Sequence, residues 1–247
     1  VEDGKALWYK NKFVTSPFGF GPNTHVLKHG EKIYALVEGG VSPVIMDSEM
    51  NFLEEEPFPA ADNKRFTAHP KIDSDTGEMH AVSYDFGEYV NGLGQVHYVT
   101  IDSNGKLIKD QIIETPSRPM VHDCAITKNY VLIFDLPVTF NLGRRDDDNN
   151  PIGGDYPVVW NDKHTSRVGL QNKKTDEIIW IEVNPGFLFH IVNSYEDDNG
   201  QVILDFCRYE RLFDFDNPLP MGQKPFLTRW ILDPKTKTCS EEMLDDR

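Results

Sequence analysis

Three histidines of this chain sit in similar company. His69 in "FTAHPKID" (66–73), His122 in "SRPMVHDCAI" (117–126) and His190 in "GFLFHIVNSYED" (186–197) each lie among strand-forming residues beside a turn signal. Neutral imidazoles are ligands for iron, zinc and copper, and ligands this distant in sequence can share an ion only if the fold gathers separate strands. The competing reading makes each a lone histidine hydrogen-bonded in a β-rich interior, and spacing by itself leaves both open. His25, His29, His80, His97 and His164 have no carboxylate or cysteine at useful metal spacing and read as structural or exposed.

Other site chemistries are weaker. His122–Asp123 has the form of the metal pair of helical phosphohydrolases, but the strand pattern of 130–140 just downstream is incompatible with a helical bundle. The loop 141–157 begins like a calcium loop at Asp146, Asp148 and Asn150, yet has Pro151 where a glycine and Pro157 where a bidentate glutamate is required. There is no G-x-S-x-G elbow, dinucleotide fingerprint or Walker loop, so a hydrolase triad or nucleotide site is unsupported.

The elements that must position the histidines read as strands. Segments 32–40, 78–86, 96–113, 129–140, 177–183, 200–210 and 226–233 are short and rich in β-branched and aromatic residues. Between them stand Asp75-Thr76-Gly77, Asp102-Ser103-Asn104-Gly105 and Asp198-Asn199-Gly200, residues that tolerate the positive φ of tight turns. No stretch of ten residues carries a convincing helical period. The chain is expected to be all-β: a sandwich, a barrel or a propeller. The intervals between the three histidines, somewhat longer than the ~40–50 residues of common propeller blades, favour the last.

Composition sets further bounds. The chain has 247 residues with 25 Lys and Arg against 40 Asp and Glu, and a net charge of -15 would repel nucleic-acid phosphates. Its apolar runs are too short to span a bilayer. Three cysteines without C-x-x-C spacing argue against a disulfide framework and for a reducing, cytoplasmic setting. The first ten residues lack a signal-peptide pattern, and both ends read as interior to a domain.

At these motifs the chain resembles the carotenoid cleavage oxygenases, a family including apocarotenoid- and lignostilbene-cleaving dioxygenases. Segments 67–86, 120–140 and 187–209 are similar to the family's segments around three iron-binding histidines, and 23–40 and 227–247 match flanking segments. The resemblance implies a seven-bladed β-propeller, of which residues 1–247 would form a single partial domain of about four consecutive blades. It implies Fe(II) held by His69, His122 and His190, with the family's fourth histidine and two of its glutamates outside this chain. Glu38 matches a glutamate that supports an imidazole ligand, as four neutral imidazoles would leave the metal's charge uncompensated.

Phe66, Phe187 and Phe189 adjoin ligand positions, where they would line a substrate tunnel or pack within blades. The implied activity is O2-dependent cleavage of a carbon–carbon double bond in an apolar polyene, a carotenoid or apocarotenoid, giving two carbonyl products. Stilbene cleavage is the alternative; its members tend to carry a lysine where this chain has Val37. A metal-deficient propeller acting as a ligand-binding module is a third reading, since three histidines are all this chain offers. Partners would be the apolar substrate and O2, without nucleic acid, and any peripheral membrane contact would belong to the full-length protein.

Overall fold

The computed structural model describes residues 22–38, 43–54, 66–84, 94–140, 158–214 and 223–245. The acidic loop considered above, 141–157, lies outside the described residues. Every regular element among the described residues is a strand, and every printed pairing is antiparallel. The chain forms two compact units: Val1–Asp85 with Val96–Ile113, and Phe86–Gln95 with Glu114–Arg247.

In the first unit, β1 (His25–His29), β2 (Lys32–Leu36), β3 (Val44–Met46) and β4 (Phe52–Glu54) form a four-stranded sheet in sequence order. A second sheet contains β5 (Lys71–Ile72), β6 (Met79–Tyr84), β7 (Gly94–Ile101) and β8 (Leu107–Thr115), again in order. β6 is buried along its whole length because it is an inner strand, whereas β8 alternates between more and less exposed residues as an outer strand does. Tyr34, Leu36, Ile45, Met79 and Ile101 form one apolar core for this unit.

The second unit carries β9 (Ala125–Ile126), β10 (Tyr130–Asp135), β11 (Val138–Phe140), β12 (Val158–Trp160), β13 (Arg167–Asn172) and β14 (Ile178–Glu182). Strands β14-β13-β10-β9 make a sheet, and β11 and β12 form a separate ribbon inserted between β10 and β13. Then β15 (Ile191–Glu196), β16 (Val202–Arg208), β17 (Phe226–Asp233) and β18 (Thr238–Met243) form a fourth sheet in order. Thr228, Trp230 and Leu232 alternate inward along β17, and Phe206 packs on Trp230 with ring centroids 4.5 Å apart. Four consecutive four-stranded antiparallel sheets are the arrangement expected of propeller blades.

The strand runs read from sequence recur, with instructive differences. The run at 129–140 is split into β10 and β11 around Pro137, which has no N–H to continue a ladder. β13, β15 and β18 carry no clear strand signal: Gly169 interrupts β13, while β15 and β18 are largely exposed and polar. Their identity comes from neighbours, for β15 and β18 pair along β16 and β17.

The turn signals act as expected. Gly105 and Gly200 adopt φ of 83° and 79°, a region that penalises a Cβ. A repeated aspartate closes these turns: Asp102 Oδ1 accepts the Asn104 and Lys106 N–H groups, and Asp197 Oδ1 those of Asn199 and Gln201.

Candidate metal centre

His122 lies on the extended segment between β8 and β9. Met120 N–H donates to Val138 O at 2.9 Å and Phe140 N–H to Arg118 O at 2.8 Å, so β11 clamps this segment along its length. Val121 and Asp123 are buried, and His122 between them is half-buried. His190 lies just before β15. Phe187 and Tyr209 exchange both backbone hydrogen bonds at 2.8 Å, anchoring the segment and leaving His190 with a 61% exposed side chain.

These two histidines meet. Their ring centroids are 4.9 Å apart with planes at 70°, and Phe189 stands edge-on to His122 at 5.3 Å. Below them Phe187, Phe189, Tyr209 and Phe213 form a cluster of perpendicular ring contacts. Metal–nitrogen bonds of ~2 Å place an imidazole centroid roughly 3.2 Å from the ion, so two neighbouring ligands have centroids about 4.5–5.2 Å apart. The pair therefore fits adjacent positions on one metal ion, and imidazole is a suitable donor for iron.

Three side-chain ties lace the two histidine-bearing segments together. Asp123, 3% exposed, accepts from Cys124 N–H at 2.7 Å through Oδ1 and from Ile191 N–H at 3.4 Å through Oδ2. Ser194 Oγ donates to Ile126 O at 2.7 Å. Glu196 accepts from Thr127 Oγ1 at 2.6 Å, and from Asn129 N and Nδ2, each at 2.7 Å. Sequence reading considered Asp123 only as half of a phosphohydrolase pair and did not single out Glu196; the signal available was the polar run "NSYED" following His190.

His69 belongs to the first unit. Its N–H donates to Thr67 Oγ1 at 3.1 Å, which shapes the turn that presents it. The His25 ring stacks near the His69 ring, with centroids 6.4 Å apart, and His25 Nδ1 pairs with Ala68 O at 2.8 Å. Glu38, in the same unit, accepts a hydrogen bond from the Tyr84 hydroxyl; burial, then the charge and hydrogen bond of Glu38, push the Tyr84 pKa well above its ordinary value. Tyr84 is a neighbour of Glu38 that sequence reading missed.

The three phenylalanines separate in the structure. Phe66 is 2% exposed within the core of the first unit and Phe187 is 1% exposed, while Phe189 is half-buried beside His122. Phe66 and Phe187 are therefore closed off from solvent, and Phe189 meets a ligand-candidate histidine by ring contact.

Four other histidines have buried structural settings. His29 Nε2 pairs with Asp102 O at 2.7 Å, His80 Nδ1 with Tyr98 Oη at 3.0 Å, and His97 lies 4.0 Å from Asp110. His164 joins Ser117 Oγ at 2.7 Å to the Asp135 carboxylate at 2.9 Å, and Arg167 Nε donates to that same carboxylate at 2.7 Å. With the His164 and Asp135 side chains 2% and 0% exposed, this Ser–His–Asp arrangement is an internal cross-link.

Comparison with known proteins agrees with this architecture. The family profile described as RPE65, retinal pigment epithelial membrane protein, matches residues 4–247. A carotenoid cleavage oxygenase of Mycobacterium tuberculosis is 32% identical over an alignment of 306 residues that covers 100% of this chain and 60% of that protein. Resveratrol cleavage oxygenase 1 of Chaetomium globosum is 28% identical, over 97% of this chain and 42% of its own length.

Among solved structures, a Pseudomonas brassicacearum lignostilbene dioxygenase superposes with a TM-score of 0.75 at 26% identity, covering 94% of this chain and 49% of that one. Cobalt-substituted Synechocystis ACO gives 0.74 at 24% identity, covering 98% and 52%. These are β-propeller enzymes, and the all-β, propeller fold class of this chain follows. The chain spans about half the length of the proteins it matches.

Proposed function

This chain belongs to the RPE65 and carotenoid cleavage oxygenase family, and from that premise we propose that the complete protein is an Fe(II)-dependent dioxygenase cleaving a carbon–carbon double bond of an apolar polyene. The observation that carries the reading is the His122–His190 pair, 4.9 Å between rings, at the positions where the family resemblance puts two iron ligands. His69 is proposed as a third ligand on the strength of the same family resemblance.

Bound iron would supply the activation of O2 that carbon side chains cannot. The chain's own residues do the rest. The clamp of β11 on the His122 segment and the Phe187–Tyr209 anchor behind His190 hold the two imidazoles in place before any ion arrives, which limits the ordering cost of binding. The edge-on Phe189 ring excludes water from one side of His122 and offers an apolar surface to a polyene. Glu38, hydrogen-bonded by Tyr84, keeps a fixed carboxylate available to an imidazole N–H.

The substrate assignment within the family rests on Val37. It is buried and apolar, so it gives no ammonium to a phenolic oxygen, which favours an apocarotenoid over a hydroxylated stilbene. Among the described residues no helix is long and apolar enough to cross a membrane. A cytoplasmic location and a single partial β-propeller domain over residues 1–247 are part of the same proposal.

The test is to load the complete protein with Fe(II) under anaerobic conditions, measure bound iron, and then admit O2 and follow product carbonyls from an apocarotenal and from resveratrol. Stoichiometric iron, apocarotenal cleavage and loss of both on His122→Ala or His190→Ala are expected. Iron content unchanged in both variants refutes the centre. Cleavage of resveratrol alone overturns the substrate class, and apocarotenal binding without iron or turnover identifies a ligand-binding module instead.

A further inference from the structure

We infer that Arg211 is a positioning residue for the aromatic cluster beneath the histidine pair: by fixing Phe213 it sets how closely Phe189 fits an apolar substrate. The inference rests on the oxygenase reading above and adds to it a residue and a salt dependence.

Phe213 is held in an unusual state. Its φ of 54° lies in the left-handed region, where a bulky side chain is strained, and the residue is only 7% exposed. Such a conformation persists where the surroundings impose it. The N–H of Trp160, at the end of β12, donates to Phe213 O at 2.9 Å. Arg211 and Asp214 join side chains across Phe213, Arg211 Nε donating to Asp214 Oδ2 at 2.6 Å and Nη2 to Asp214 Oδ1 at 3.2 Å. The same guanidinium grips Asp162, two residues past Trp160, through Nη1 at 2.7 Å and Nη2 at 3.1 Å, and lies 5.2 Å from the centre of the Trp160 ring. One side chain therefore clips the segment after β16 to β12 and the turn that follows it.

What the clip holds bears on the site. The Phe213 ring stands edge-on to Phe187 and to Phe189, each with centroids 6.2 Å apart, and Phe189 in turn meets His122 at 5.3 Å. Aromatic packing of this kind is close and directional, so a displaced Phe213 changes the support of Phe189. The Asp162 and Arg211 side chains are 70% and 39% exposed, so their attraction is open to screening by salt. The strength of the clip lies in one planar fork serving two carboxylates.

The experiment titrates the complete, metal-free protein with an apocarotenal at low and at high NaCl, following quenching of tryptophan fluorescence. Added salt weakens exposed ion pairs but not the burial of apolar surface, so affinity lost with salt reports the clip. Wild-type affinity is expected to fall roughly threefold at high salt. Arg211→Met, which keeps an unbranched stem over Trp160, should lose roughly 3- to 10-fold at low salt and show no further salt response. Asp162→Asn, a milder change at an exposed position, should show a smaller loss and a weakened salt response. In the iron-loaded enzyme both variants should raise KM with little change in kcat. Arg229→Met is the control: it breaks a pair with Asp205 of 2.7 and 2.9 Å between β16 and β17 and should keep wild-type affinity and salt response.

Wild-type affinity in both Arg211→Met and Asp162→Asn overturns the inference, as does a full salt response persisting in Arg211→Met. So does an equal loss in Arg229→Met, because breaking any ion pair would then move the readout. If the wild type binds no apocarotenal at either salt concentration, the substrate reading falls and this inference with it. Wild-type binding that the clip variants leave untouched keeps that reading and removes only Arg211.

Discussion

Replacing Glu196 by alanine should loosen the lacing between the two histidine-bearing segments by a calculable amount. The Glu196 carboxylate accepts three hydrogen bonds, from Thr127 Oγ1 at 2.6 Å and from Asn129 N and Nδ2 at 2.7 Å. Hydrogen bonds to a charged acceptor contribute about 1.5–3 kcal/mol each when buried, but neighbouring bonds are not additive. Glu196 and Asn129 are both half-exposed, so water can replace part of what Asn129 loses. Thr127, 6% exposed, is less able to recruit a substitute.

The balance is about 2–4 kcal/mol for Glu196→Ala, and about half of that for Glu196→Gln, which retains one acceptor oxygen. As this chain spans about half the length of its relatives, the alanine variant of the complete protein should melt roughly 2–4 °C lower. Differential scanning calorimetry of the complete protein, supported by urea unfolding, reads this directly. A shift below about 1 °C for alanine, or a glutamine variant as damaged as the alanine one, would show that the carboxylate is not the tie it resembles here.

Three further outcomes are expected. Gly94→Ala should fold poorly or lose about 3 kcal/mol or more, because a Cβ there would lie 1.9 Å from the Ser117 carbonyl oxygen, a backbone atom with no flexible end to move; soluble yield and unfolding midpoint check this. Iodoacetamide at pH 8 should modify exposed Cys207 well before Cys239, whose thiol is pushed up to about 12 by burial and by the nearby Glu241 charge; peptide mass spectrometry of the time course shows the order. The turn aspartates should make the fold acid-sensitive: hydrogen bonds, led by those from Lys106, Gln201 and Lys235 N–H groups, hold Asp102, Asp197 and Asp233 below their usual 3.8. Their stabilisation is complete above that value and declines as pH falls through the lowered folded-state values, so melting temperature should be flat near neutrality and drop below about pH 4.

Much of the fold was legible because its cues are local. β2, β6, β14, β16 and β17 announce themselves through β-branched and aromatic runs, and the turns through Asp, Asn and Gly, since both signals act within a few residues of backbone. β13, β15 and β18 lack such cues and are strands because of their partners. The histidine motifs were legible through resemblance; imidazole spacing alone left a buried-histidine reading open, and that reading holds for His29, His80, His97 and His164.

The sequence by itself determined an acidic, all-β chain with turn-closing aspartates and three histidine motifs in order. Only the tertiary structure decided that Phe66 and Phe187 pack inward while Phe189 meets His122. Only it showed that Asp123 and Glu196 bind the segments of His122 and His190 to each other. The physical reason is distance along the chain: these hydrogen bonds join residues 67 to 69 positions apart. No local propensity specifies such a pair, which exists only once two separately formed sheets have packed and fixed which polar atoms face each other.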